Sequence, residues 1–485
     1  MIATRRTVET NCRLWLAALV ICAGVAVAQP APAHANALPT GVSGVNEEAP
    51  LAFQRIKAAG ASYARIAFEW SEIAPRDLPS SWQPHDPADP NYDWERVDRG
   101  VTSAVAAGLT PVAMIEESPS WAERCRSSLG SNCNPDPAAL AAFATAAARR
   151  YSGTAGLPRV AFWQGLNEPN LSIYFNPQYE GDRPVSPDLY RGLANTFYSA
   201  INAVDPSNIV IAVGLGPIAV PSYTIGPMRF TRLLLCMRGH RNPKPMPGDC
   251  GGGVHFDVFD IHPYTTGAPS HTGGINDVQM GDLAKLTELL KAADRAGRIK
   301  GEFQRTPLWI GEFSWDSNPP DPGGLAMKTE TRWVAESLYR AWRAKIGAFF
   351  WFSLRDRMPN PRLPFSQTLQ SGLFFRGETI EQDQPKEFFY AFRFPFVSYP
   401  NRKGLFVWGR TPDSQAGNVV IEIWKGGKWR RVFAVRADKD GIFRGRARSR
   451  YGGNKRGLVR AVYKGEAAPA FSMRPSVDFR QAPFG

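Results

Sequence analysis

Two glutamates stand where the chain leaves apolar, aromatic-rich runs: Glu168 follows Asn167 in VAFWQGLNEPN, and Glu312 lies in PLWIGEFSW. A lone carboxylate in such a place is most often solvated or salt-bridged. Two of them, at the ends of separate strand-like runs, are the groups that cleavage of a glycosidic bond requires. One carboxylic acid protonates the leaving oxygen, and a second carboxylate attacks the anomeric carbon or activates water. A separation of about 5–5.5 Å makes the second group a nucleophile and the reaction retaining. The acid then needs a raised pKa, which a low-polarity setting beside Trp163 or Trp351 would supply. Glu116 and Glu117 also end a strand-like run, but neither has an adjacent amide, so they rank as substrate contacts or bystanders. Asp260 is expected to face away from the reacting groups or to pair internally.

Bringing the two acids together is the task of the elements that carry them. From residue 38 to 395 short apolar runs alternate with stretches of helical period, the pattern of βαβ units on a parallel sheet. Eight runs are legible, near Gly41–Val45, Tyr63–Phe68, Thr110–Ile115, Val160–Leu166, Ile209–Val213, Val258–His262, Leu308–Gly311 and Ala348–Phe352. Helices are expected between them, at Trp94–Ala107, Pro137–Tyr151, Asp188–Val204, Gly281–Ala296 and Thr331–Lys345. Eight repeats in this length predict an α/β fold of the (β/α)₈ TIM-barrel type, in which reacting groups sit at the C-terminal ends of strands. The alternative, an open doubly wound sheet, lacks the glycine-rich phosphate turns that often mark its nucleotide-binding versions.

On these strings the sequence resembles clan A of the glycoside hydrolases over residues 38–395. In that clan an Asn-Glu pair ends strand four and a Glu ends strand seven. The resemblance implies a retaining glycosidase acting on a β-linked oligo- or polysaccharide, with Glu168 as acid/base and Glu312 as nucleophile. It extends to Arg65 in ARIAFEW, to His262 and Tyr264 in FDIHPY, and to Trp351 in FFWF. By that likeness Arg65 and Tyr264 hydrogen-bond the nucleophile, Asn167 binds the sugar 2-hydroxyl, Trp351 stacks under the sugar, and His262 touches substrate. Asn-Glu-Pro-Asn, His-Pro-Tyr and Pro119-Ser120-Trp121-Ala122 look like family 39. Leu166 stands where that family has Trp and, with Ile310-Gly311-Glu312-Phe313, looks more like family 5. A transglycosylase would use the same residues, and a non-catalytic glycan- or cell-wall-binding barrel is the reading from another class.

After Pro395 the pattern becomes alternation between Gly, Asn and Asp turns, which predicts a small all-β sandwich, immunoglobulin-like, over 401–480. The net charge of +13 is concentrated there: residues 401–485 hold 19 Lys and Arg against 6 Asp and Glu. Such a module suits an anionic polysaccharide or cell-surface polymer, or simply a solvated surface. Nucleic acid is not an expected partner, because motifs for stacking single strands are not evident.

The N-terminus carries Arg5, Arg6 and Arg13 before an apolar run from Leu14 to Ala28, followed by small-residue sites up to Ala35. This reads as a cleaved secretion signal over residues 1–35, being shorter than the about 20 residues of a membrane span. Secretion, with cell-envelope association as a further expectation, follows, and no integral membrane segment is expected after cleavage. Of six cysteines, Cys125, Cys133, Cys236 and Cys250 lie beyond the signal. An oxidising compartment favours local pairs, Cys125 with Cys133 and Cys236 with Cys250, against the alternative of four free thiols. Zinc-ligand spacings are absent, and neither a metal nor another cofactor is expected.

Overall fold

The computed structural model describes residues 37–45, 49–127, 132–154, 156–220, 223–248, 250–363, 368–401, 404–448, 457–476 and 478–484. The expected signal, residues 1–35, lies outside them.

Eight parallel strands close a barrel in which each strand pairs with the next and the eighth returns to the first. They are β1 (Thr40–Ser43), β2 (Tyr63–Glu69), β3 (Thr110–Glu116), β4 (Phe162–Gly165), β5 (Ile209–Leu215), β6 (Val258–Ile261), β7 (Leu308–Ile310) and β8 (Phe349–Phe352). Each coincides with one of the runs read from sequence. A helix follows every strand: α1 (Pro50–Ala58), α2 (Glu95–Ala106), α3 (Pro137–Arg150), α4 (Ser186–Val204), α5 (Pro227–Leu234), α6 (Leu283–Arg295), α7 (Met327–Arg343) and α8 (Glu387–Arg393). Helix α3 shows how locally these starts are written. Pro137 takes its first turn, and the Asp136 carboxylate accepts from the amides of Ala138 and Ala139 at 2.8 and 3.0 Å.

Strand side chains alternate between the barrel interior and the helix layer. Tyr63, Phe162, Trp309 and Phe350 pack together as an aromatic floor, with ring centroids 5.4–5.9 Å apart. Two residues further along their strands, the same inward face presents Arg65 and Gln164, and β6 contributes Asp260. An apolar floor therefore supports a polar layer, and the polar layer supports the mouth. The interior is tight enough that a Cβ on Gly311 would overlap the Asp260 carboxylate.

Beyond the barrel, β9 (Phe396–Asn401), β10 (Gly404–Arg410) and β13 (Ile442–Arg448) form one antiparallel sheet in the order β9-β10-β13. A second sheet contains β11 (Gly417–Lys425), β12 (Lys428–Ala437), β14 (Leu458–Tyr463), β15 (Glu466–Ala467) and β16 (Phe471–Ser472). Leu405, Val407, Val419, Ile421, Val459 and Phe471 are buried among these strands, as the sandwich expectation requires. The sandwich is keyed into the barrel by Arg410. Fully buried, it donates to the Leu38 carbonyl at 2.8 Å, Thr40 Oγ1 at 3.0 Å and the Phe392 carbonyl at 3.2 Å. Residues 478–484 leave the sandwich and run back over the barrel mouth. There Asp316 N donates to the Pro483 carbonyl at 2.7 Å and Ala268 N to Asp478 Oδ1 at 3.0 Å.

Cys125 and Cys133 are disulfide-bonded, as expected. Cys236 is disulfide-bonded as well, and the side chain of Cys250, its expected partner, lies outside the described residues. Among the described residues, no helix is long and apolar enough to cross a membrane.

Candidate active site

Both glutamates reach the C-terminal mouth, and each is held differently. Glu312 follows β7. Its Oε1 accepts from Arg65 Nη1 at 2.6 Å and its Oε2 from the Tyr264 hydroxyl at 2.9 Å. Arg65, on β2, is itself fixed by three further acceptors: Gln164 Oε1 at 2.9 Å, Ser43 Oγ at 2.9 Å and Asn167 Oδ1 at 3.0 Å. Burial would lower the Arg65 pKa, but Glu312, Asp260 and Glu116 around it hold it above its usual value. The guanidinium is a fixed positive charge against the Glu312 carboxylate.

Glu168 follows β4 on a strained turn. Leu166 and Glu168 adopt φ of 61° and 42°, a left-handed conformation that non-glycine residues rarely take. The chain is pinned there by Asn170, whose side chain donates to the carbonyls of Gly216 and Ile225 and accepts from Gly216 N. Strain of this kind costs about 1–3 kcal/mol per residue and persists where the surroundings over-determine it. Here it turns the Glu168 carboxyl inward. Burial raises the Glu168 pKa above the ordinary carboxylate range, with His262 partly opposing the rise.

His262 joins the two acids. The pairing register of β5 and β6 shifts between Asp260 and Ile261, a bulge that re-aims the residues after it. Nδ1 of His262 lies 2.9 Å from Glu168 Oε1 and 3.7 Å from Glu312 Oε2. These two distances together limit the separation of the two carboxylate oxygens to about 6.6 Å, reached only with all three atoms in line. Nε2 stands 3.4 Å from Asp260 Oδ2, an ion-pair distance without a well-formed hydrogen bond. Burial would lower the His262 pKa, but Glu312, Asp260 and Glu168 outweigh it and push it up to about 10. Asp260 also accepts from Gln164 Nε2 at 2.9 Å, which closes a buried circuit from Arg65 through Gln164 and Asp260 to His262. Asp260 thus pairs internally, as its strand position suggested.

Of the seven residues to which the sequence points for this site, the structure brings six into one connected group: Glu168, Glu312, Arg65, Asn167, His262 and Tyr264. Two placements correct the expectation. His262 is fully buried against the carboxylates, so substrate contact is replaced by a contact to Glu168. Trp351 is also fully buried; its ring faces Phe388 and Phe392 of α8, and Nε1 donates to the Ser371 carbonyl at 2.8 Å. The cause is the two-residue period of a strand. Phe350 belongs to the inward floor, so Trp351 points out and Phe352 points in, and Phe352 is the β8 aromatic at the cavity. Trp163 likewise packs on Phe68, away from the mouth. The low polarity around Glu168 comes from burial rather than from either indole. Gln164, Ser43 and Asn170 were not singled out from the sequence. Gln164 carried a signal, a polar side chain inside an otherwise apolar run, in phase with Phe162.

A cavity of about 620 Å³ opens over the pair, walled by the segments after β4 and β5, by Tyr264 and Phe352, and by Pro483 and Phe484. Phe484 meets the Tyr264 ring edge-on at 4.9 Å. Tyr174 lines it too. Glu116, at the end of β3, is pushed up to about 8 by burial, partly offset by Arg65.

Fold and site define a class: a (β/α)₈ barrel with two carboxylates facing one another across its C-terminal mouth. No family model matches the chain, and no curated protein matches it. Solved structures do. The chain is similar to a family 39 glycoside hydrolase from the gut symbiont Bacteroides cellulosilyticus, at 16% identity and a TM-score of 0.53, over 85% of this chain and 79% of that one. It is also similar to a glucosidase from Croceicoccus marinus, at 14% identity and a TM-score of 0.51, over 85% of this chain and 94% of that one. The chain therefore shares the (β/α)₈ fold of these glycoside hydrolases.

Proposed function

We propose that the protein is an exported retaining glycoside hydrolase that cleaves β-linked O-glycosidic bonds by double displacement. The observation that carries this reading is the contrast between two carboxyls on either side of one imidazole. Glu312 is clamped between a guanidinium and a phenol, oriented to attack, whereas Glu168 is buried and keeps its proton above the ordinary carboxylate range. Glu168 Oε1 and Glu312 Oε2 lie no more than about 6.6 Å apart, near or below the lower edge of the about 6.5–9.5 Å between carboxyl groups at which inverting enzymes admit a water.

In the first step Glu168 gives its proton to the glycosidic oxygen while a Glu312 oxygen forms a bond to the anomeric carbon. The carbon–oxygen bond to the leaving group breaks, and the leaving group departs as an alcohol. In the second step the Glu168 carboxylate takes a proton from water, whose oxygen attacks the anomeric carbon and frees Glu312. His262 acts as a positioning residue: its imidazolium favours the Glu168 carboxylate that exists between the two steps. Asn167, whose Oδ1 accepts from Arg65 Nη2 at 3.0 Å, is assigned to the sugar 2-hydroxyl in this proposal.

The basic character of the sandwich supports a second, non-catalytic proposal. Arg430, Arg431, Arg436 and Arg446 are exposed on β12 and β13, suited to holding the exported protein on an anionic polymer of the cell surface. Because Arg410 ties the sandwich to the barrel, substitution is a cleaner test than deletion. Reversing the four charges is expected to abolish salt-sensitive retention on an anionic resin; unchanged retention refutes the proposal.

The test of the catalytic proposal is a panel of β-glycosides with Glu168→Gln and Glu312→Gln alongside, proton NMR following the first-formed anomer. Cleavage with retention, lost in both variants, is the expected result. Inversion, or full activity in either variant, overturns it.

A further inference from the structure

The acid/base side of the cavity is unlike a site for a second sugar. A leaving group protonated by Glu168 must lie beside Glu168, and this placement rests on the catalytic reading above. The wall there is formed by the segment after Glu168, with Leu171 and Ile173, and by the segment after β5, with Ile218, Val220 and Tyr223. Four of these side chains are turned to solvent: Ile173 is 54% exposed, Ile218 37%, Val220 45% and Tyr223 56%. Isolated exposed apolar residues are ordinary, but four in one wall of a catalytic cavity are not. Among the described residues lining the cavity, Glu168 and Glu312 are the only ones with charged side chains.

A sugar in that position would bring several hydroxyls out of water, each of which needs a partner. Sugar faces are also held by flat aromatic platforms; this wall has Tyr174 and Tyr223, but most of it is made by the branched aliphatic side chains of Leu171, Ile173, Ile218 and Val220. The aliphatic part of the wall gains free energy by covering hydrocarbon. Asn170 fixes the two wall segments to one another through Gly216 and Ile225, so the wall is built into the fold.

We propose that the leaving-group side of the site accepts a hydrocarbon aglycone, so that the preferred substrate is an amphiphilic β-glycoside carrying its sugar on an apolar alcohol. This narrows the oligo- or polysaccharide expectation on one side of the scissile bond and leaves the sugar bound between Glu168 and Glu312 unchanged.

The experiment is a series of monomeric alkyl β-glycosides, from methyl to octyl, on the sugar that the panel shows to be cleaved. Alkyl alcohols are of similar acidity, so chain length changes burial and hardly changes leaving-group chemistry. Each buried methylene is worth roughly a threefold gain, so covering the seven methylenes added between methyl and octyl is expected to raise kcat/KM on the order of a thousandfold, with a β-linked disaccharide of the same sugar near the methyl compound. In Ile173→Asn/Ile218→Asn, two exposed positions whose change does not threaten folding, the octyl-to-methyl ratio should fall at least tenfold. A flat series, or a disaccharide cleaved better than the octyl compound, overturns the proposal while inactive Glu168→Gln and Glu312→Gln variants keep the catalytic reading intact. If no glycoside is cleaved, or the Gln variants remain active, both fall together.

Discussion

Replacing His262 by Gln removes the imidazole from between the two carboxyls and leaves a neutral hydrogen-bonding group. In the folded protein Nδ1 lies 2.9 Å from Glu168 Oε1, and the imidazole is pushed up to about 10, so it is cationic through the neutral range. Hydrogen bonds to charged groups are worth about 1.5–3 kcal/mol, and one pKa unit corresponds to about 1.4 kcal/mol. Losing the cation should therefore raise the Glu168 titration by about 1–2 units, because His262 is the main group opposing the upward pull of burial. Glu168 must be protonated for the first step, so the basic limb of the kcat/KM profile should move to higher pH by that amount. A weaker acid is also a poorer donor, and the plateau should fall about tenfold to a hundredfold. The assay is hydrolysis of an alkyl glycoside across pH 4 to 10, where bond cleavage depends on proton donation. An unmoved basic limb, or one displaced downward, would refute the coupling of His262 to Glu168. Because Glu168 and His262 share a hydrogen bond, the limb reports the pair, and the comparison of variants is what isolates the contact.

Three further outcomes are expected. Burial makes the folded protein hold the Glu168 proton more tightly than the unfolded chain does, a stabilisation complete below the ordinary carboxylate pKa and lost as pH rises through the folded value; Glu168→Gln should therefore melt level with the parent near pH 4 and a few degrees higher near pH 8, and a gap that shrinks with pH would be contrary. Arg65→Met leaves Glu312, Asn167, Gln164 and Ser43 without their shared donor, so denaturant unfolding should show a loss of about 3–5 kcal/mol, and a loss under about 1 kcal/mol would show that the clamp is not structural. Phe484→Ala removes the ring against Tyr264, a contact class worth about 0.5–1.5 kcal/mol beyond its area; KM should rise several-fold with kcat within about twofold, and unchanged kinetics would place residues 478–484 outside the binding site.

The barrel was legible because each of its strands is a short apolar run whose residues satisfy a local period. The acids were legible because strand ends in such a barrel face one mouth. Trp351 shows where local reading slipped by one residue: the aromatic run FFWF offers three rings in sequence, and only the aromatic floor contributed by Tyr63, Phe162 and Trp309 fixes which of them point inward. His262 was visible as a candidate, but its contact to Glu168 depends on the bulge between β5 and β6, which no spacing announces. Residues 478–484 have neither helical nor strand period. They are held by the Asp316 and Ala268 amides, far away in the chain, so their place at the mouth could be seen only in three dimensions.

The most direct test of Glu312 as nucleophile is to trap the glycosyl-enzyme. A 2-deoxy-2-fluoro glycoside with an activated leaving group, on the sugar the protein cleaves, slows the second step and leaves the ester to be found by peptide mass mapping. One added glycosyl group on the peptide containing Glu312, absent in Glu312→Gln, is the expected result. A label on any other carboxylate, Glu116 or Glu168 included, would contradict the assignment.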